Sequence, residues 1–260
     1  MALELVTVEV DGPVGRLTLD RPAKLNALSP QLLGELVAAA RWFDDQRAIK
    51  VVIVRGAGRA FCAGFDLDAF VDPAMHPRET GDLGRLMAEA ITSMRAVTIA
   101  AIHGRCVGGG LVLAAACDLR VATDDARFSI PEVDLGIPLA WGGIPRLVRE
   151  LGPAVTKELV MTCREFDAAE AHALRFVNRV VGAGVLERVV EELAASLASK
   201  SALTLHTTKT QANAVAEEIA STGRNAGDAD LLMSALVDPE SRDVARRYLE
   251  VHGKRPPKGP

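Results

Sequence analysis

None of the four cysteines, Cys62, Cys106, Cys117 and Cys163, sits in a CxxC pair, so no zinc-type ligand spacing is encoded. Their apolar or turn contexts read as buried free thiols in a reducing compartment. Basic residues do not dominate either. Lysine and arginine number 30 against 34 aspartates and glutamates, and a net charge of −4 argues against a broad nucleic-acid footprint. The one basic cluster, HGKRPPKGP at 252–260, carries prolines and glycines and reads as a solvated tail. No apolar run reaches the roughly 20 residues of a membrane span. The first residues, MALELVTVEVDG, alternate like a strand and lack the basic segment and apolar stretch of a signal peptide. No internal repeat indicates a solenoid. What remains is a cytoplasmic enzyme or binding protein with no expected metal. Its 260 residues, 49% hydrophobic and 25% charged, can form a core without staples.

The pattern along the chain is that of an α/β body followed by helices. LVTVEVDGPVGRLTLDRP reads as a hairpin turning at Asp11-Gly12-Pro13. LSPQLLGELVAAARWFDDQR reads as a helix with Ser29 as cap, Pro30 in the first turn, and Leu32, Leu33, Leu36, Val37 and Ala40 on one face. VVIVRG is a buried strand, VDPAMHPRETGD a polar loop, GRLMAEAITSMRA a helix and VTIAAIHG a strand. VGGGLVLAAACD is a short apolar helix behind three glycines, and LRVATDDARFSIPE holds two short strands. WGGIPRLVRELGP and PAVTKELVMTC each lead into helix, DAAEAHALRF is a further helix, and FVNRVV a strand. From about Leu186 three amphipathic segments follow, LERVVEELAASLASK, LTLHTTKTQANAVAEEIAST and DLLMSALVDPESRDVARRYLEV.

Three stretches suggest chemistry. RAFCAGFDLDAF, directly after VVIVRG, is a small glycine turn suited to bring a backbone N–H close to a ligand. CVGGGLVLAAACDL opens an apolar helix with three glycines. The first N–H groups of that helix have no side-chain cap, and a buried helix start suits an anion or developing oxyanion. Close helix–strand packing explains the same glycines about equally well. No GK[ST] follows and the GxGxxG spacing is absent, which excludes a P-loop and a dinucleotide fingerprint. In ARFSIPEVDLGIPLAWGG, Glu132 follows a proline in an apolar run. A buried carboxyl without a fixed partner exchanges protons near neutrality; a Glu paired to a structural arginine is the competing reading.

The ordered set LDRPAKLNALS, GRAFCAGFDL, IHGRCVGGGLVLAAACDLRVA, FSIPEVDLGI and GGIPRLVRELG resembles the crotonase superfamily, the enoyl-CoA hydratase/isomerase family, over nearly the whole chain. The resemblance implies a crotonase-type α/β spiral of repeated ββα units over residues 1–196. A C-terminal helical oligomerisation region at 197–260 would build a homotrimer or a dimer of trimers. It implies an acyl-CoA substrate, with coenzyme A brought as part of that substrate and no further cofactor. Phe65 N–H and Gly109 N–H would bind the thioester carbonyl, and Glu132 would be the catalytic acid/base. Ala23, Lys24, Leu25, Ala63, Asp66 and Leu67 would contact CoA, and Trp141 the acyl group. Asp68 stands where some relatives carry a lysine. The first glutamate of the hydratases falls at Val112, and the aspartate of other relatives at Ala140. Asp134 reads as a surface residue and His103 as a packing or hydrogen-bonding group. Tyr248 and the Lys254–Arg255 pair resemble C-terminal residues that reach the nucleotide. Double-bond isomerisation or hydration is the expected activity. A crotonase-fold hydrolase, or an acyl-CoA-binding protein with little catalysis, is the alternative.

Overall fold

Alternation along VVIVRG sends Val51 and Ile53 to one face and Val52 and Val54 to the other, so this strand is buried on both sides. Around it, the computed structural model describes residues 3–70 and 76–252. β1 (Val6–Asp11) and β2 (Val14–Leu19) form the expected hairpin. β2 then pairs in parallel with β3 (Val51–Gly56), β3 with β4 (Val97–Ile102), β4 with β6 (Leu119–Thr123), and β6 with β9 (Arg179–Val181). The sheet order is β1-β2-β3-β4-β6-β9. A smaller sheet has the order β5-β7-β8, from β5 (Arg105–Val107), β7 (Arg127–Ser129) and β8 (Phe166–Asp167).

Each spiral turn contributes one strand to each sheet and then a helix: β4, β5 and α4 (Gly109–Ala116), then β6, β7 and α5 (Gly143–Thr162). α5 is two helices joined at Gly152, whose φ of 76° breaks the run where the sequence carries LGP. One sheet face packs on α1 (Pro30–Asp45), α3 (Pro77–Ser93) and α4, burying Leu33, Phe43, Met87 and Leu113. The other face is covered by α7 (Leu186–Ala198) through Leu186, Val190, Ala194 and Ala198.

α3 begins at Pro77, so part of the stretch read as loop is helix. Pro77 suits a first turn and Glu79 complements the helix dipole there. Gly81, in the stretch read as loop, lies in it where the Ala229 side chain closes on it, and Gly84, the first residue of the segment read as helix, lies further along against Trp141. The remainder of that stretch, 71–75, lies outside the described residues, as do Lys254 and Arg255. Two further readings change. Asp167 caps α6 (Ala168–Ala173), which ends before Phe176. The last amphipathic segment divides into α9 (Asp228–Val237) and α10 (Pro239–His252) at a proline that cannot continue the helix. α8 (Ala202–Ile219) precedes them. α9 packs on α3, and α10 lies on the turn after β7, where Gly136 has no room for a β-carbon beside Ser241 O.

Candidate active site

The Gly64 turn is held from both sides. Leu28 N–H donates to Gly64 O and Asp66 N–H to Leu28 O, while Val107 N–H donates to Cys62 O. The chain from Cys62 to Phe65 therefore runs beside β5 and arrives next to the glycines that open α4. Among the described residues, neither Phe65 N–H nor Gly109 N–H meets an acceptor. Gly108, with φ of 51°, precedes α4 without a side-chain cap. Its missing side chain makes room for a carboxyl: a β-carbon there would lie 2.5 Å from Glu132 Oε1.

Glu132 sits in a tight turn, with Leu135 N–H on Pro131 O and Ile137 N–H on Glu132 O. Its Oε2 is buried with no hydrogen-bond partner. Withdrawal from water pushes its pKa up from 4.5 to about 7. Two cavities meet at this carboxyl. One, of about 60 Å³, is lined by Phe65, Gly109, Val112, Ala140, Trp141 and Leu232 among others. The second, of about 80 Å³, is lined by Ala63, Gly64, Leu67, Gly108, Leu135 and Tyr248 among others. Phe65, Glu132 and Ile137 border both. Tyr248 comes from α10, and burial together with the nearby Glu132 raises its hydroxyl pKa. The arrangement sets two free backbone donors and one carboxyl of raised pKa where the two cavities adjoin.

The enoyl-CoA hydratase/isomerase family model matches residues 9–258. A probable enoyl-CoA hydratase of Mycobacterium bovis is 37% identical over 223 residues, 86% of each chain. The chain belongs to the enoyl-CoA hydratase/isomerase family. The peroxisomal Delta(3,5)-Delta(2,4)-dienoyl-CoA isomerase of Arabidopsis thaliana is also 37% identical, over 221 residues and 80% of each chain. An enoyl-CoA hydratase from Mycobacterium avium subsp. paratuberculosis shares the fold, with a TM-score of 0.86 over 95% of this chain and 99% of its own at 24% identity. The α/β crotonase fold, with two sheets and C-terminal helices, is therefore that of this enzyme family.

Against that family pattern the other anticipated residues fall as follows. Ala23 and Lys24 lie in a short 3-10 turn, and Leu25 follows with φ of 51°. Ala63 N–H donates to Leu25 O, which joins this loop to the second cavity. Lys24 is ion-paired with Asp68. The Asp66 side chain is engaged by the protein itself: Oδ2 accepts from Arg21 at 2.9 Å and Oδ1 from Asp68 N–H at 3.0 Å. Leu67 opens α2 (Leu67–Phe70), a helical turn that sequence periodicity is too short to reveal. Trp141 is buried, with φ of 60°, and meets Phe65 edge-on at 6.1 Å between centroids. Asp134 is exposed and borders neither cavity. His103 Nε2 is 3.0 Å from Gly58 O, away from Glu132. Cys62, Cys106 and Cys117 are buried free thiols, and burial pushes Cys62 and Cys117 up to about 12, which leaves them unreactive.

Sequence reasoning missed the residue that ties the loops together. Asn26 is fully buried. Its Nδ2 donates to Ala57 O and Ala60 O at 2.8 Å, and its Oδ1 accepts from Arg21 N–H at 2.9 Å. Its φ of 58° is one that asparagine adopts more readily than most residues, and an Asn in a proline-bearing loop was the available signal.

Proposed function

We propose that the protein shuttles a proton between two carbons of an enoyl-CoA thioester, with Glu132 as the single acid/base. The observation that carries this reading is Glu132 itself. Its Oε2 is buried without a hydrogen-bond partner and its pKa is near 7, in a cavity whose other lining side chains bear no titratable group. The Glu132 carboxylate takes a proton from C2 of a 3-enoyl-CoA. The electron pair moves toward the thioester oxygen, where Phe65 N–H and Gly109 N–H stabilise the dienolate. The carboxylic acid then returns the proton to C4, leaving the conjugated 2-enoyl-CoA. Removing one donor from such a hole costs about 3 to 4 kcal/mol. A pKa near the working pH suits a group that must both take and give a proton. On this reading Ala23, Lys24, Leu25, Ala63, Asp66 and Leu67 border the CoA arm, Asp66 through its backbone, and Trp141 borders the acyl group. No cofactor is required, because proton and electrons return to the substrate.

Hydration asks more of the site, since water must be activated and held. Val112, buried in the same cavity, offers neither function. Incubation with 3-enoyl-CoA and 2-enoyl-CoA, with product identification, decides the matter. Conjugated enoyl absorbance should grow from the first substrate, and Glu132→Gln should abolish that growth while acyl-CoA binding persists. A 3-hydroxyacyl-CoA or free CoA thiol as the main product would overturn the assignment.

A further inference from the structure

Trp141 occupies a slot that two helices leave open. A β-carbon on Gly84 of α3 would come within 2.0 Å of the indole, and one on Gly109 of α4 within 2.3 Å. The ring therefore fills the space between α3 and α4 that a longer ligand would otherwise enter. Its backbone is left-handed, a conformation that persists in a bulky residue only when the surroundings impose it. They do so here. Buried Arg146 directs Nη1 at Trp141 O (3.4 Å) and Gly142 O (3.2 Å), and Nη2 at Thr92 Oγ1 (3.4 Å). On the opposite side Gly142 N–H donates to Asp228 Oδ2 at 2.8 Å. Gly142 has no room for a β-carbon between Asn225 and Arg146. The remaining wall of the cavity is Pro77, Gly81, Leu232 and Leu236. Trp141 closes the end of this cavity that faces α3 and α4.

We propose that Trp141, held by Arg146 as a positioning residue, is the stop that restricts the site to short acyl chains. This rests on the acyl-CoA reading of the site. The indole is the stop, and removing it joins the cavity to the slot between Gly84 and Gly109. Arg146 does not line the cavity and acts through the two carbonyls it holds.

The test measures binding of saturated acyl-CoAs from C2 to C16 by calorimetry, and turnover of the matching enoyl-CoAs. Saturated chains report the length limit without any reaction. For the wild type, affinity and kcat/KM should be highest among the short chains and fall at least about tenfold by C10, since methylenes with no room are strongly discriminated. Trp141→Ala should raise kcat/KM for C10 at least about tenfold and lower it several-fold for C4. Trp141→Leu, which keeps more of the packing, should give an intermediate shift and serves if the alanine variant does not fold. Arg146→Gln should broaden the length profile, and Arg146→Lys should restore it. Equal handling of C4 and C16 by the wild type would overturn the proposal while leaving the acyl-CoA reading intact. A profile unmoved in Arg146→Gln, with only stability lowered, would remove Arg146 from it. Absence of binding at every length would defeat the acyl-CoA reading, and this inference with it.

Discussion

A carboxyl that titrates near 7 in the native protein and near 4.5 when unfolded makes the fold less stable as pH rises. The unfolded chain releases its proton first, so stability falls across that window and stays low above it. The full difference is about 3 kcal/mol. Glu132→Gln should therefore unfold at nearly the same temperature as the wild type at pH 4, and at a distinctly higher one at pH 8. Equal melting temperatures at pH 8 would mean that the carboxyl is not desolvated as described. Turnover of the wild type should rise with pH through a single ionisation near 7, because the first step needs the carboxylate. Val112 gives the complementary experiment. Val112→Glu places a second carboxyl across the cavity and should raise hydration of 2-enoyl-CoA, measured on folded protein, at a stability cost of several kcal/mol. A wild type that already hydrates faster than it isomerises would show the handicap to be imaginary.

Elements with a clear period were legible in the sequence, and so was their order. The β1–β2 hairpin, α1 with Ser29 accepting from Leu32 N–H, the two-sided strand β3 and the glycine-led α4 all follow from local pattern. What local pattern could not show is set by distant neighbours. Gly81 looks like part of a loop until Ala229 is seen against it. β8 has two residues and pairs only with β7, so it has no period to detect. For the candidate site, the three motifs marked Phe65, Gly109 and Glu132, but nothing in them marked Arg146 or Asn26, which act on backbone carbonyls far along the chain. Asn26 offers a test at this scale. Asn26→Ala leaves Ala57 O, Ala60 O and Arg21 N–H without their partner, and each group buried and unpaired costs about 1–3 kcal/mol. The variant should lose several kcal/mol in denaturant unfolding, because the loop after Arg21 is tied to the Ala57–Ala60 segment through this side chain. Wild-type stability would show that the loops are held by other contacts.

Across the whole molecule the C-terminal helices do two different things. α9 and α10 return to their own body, closing the first cavity with Leu232 and Leu236 and bringing Tyr248 to Glu132. α8 is attached to the body by Lys209, which reaches Ala96 O at 3.0 Å and Asp118 at 2.8 Å, yet it leaves Leu203, Val215 and Ile219 open to solvent. Among its described residues Lys209 alone is buried. Such an apolar surface needs covering, and copies of the chain are the partner that the family resemblance implies. We expect light scattering at micromolar concentration to give the mass of three or six chains. Val215→Lys with Ile219→Lys should lower that mass while barely changing the stability of the isolated fold, since both side chains are exposed in the single chain. Because the cavity walls come from the Phe65 turn, α3, α4, the loop before α5, and α9 of one chain, the dissociated variant should still bind acyl-CoA. A monomeric wild type would remove oligomerisation from the role of α8. An oligomer that loses all binding on dissociation would show that a neighbouring copy completes the site.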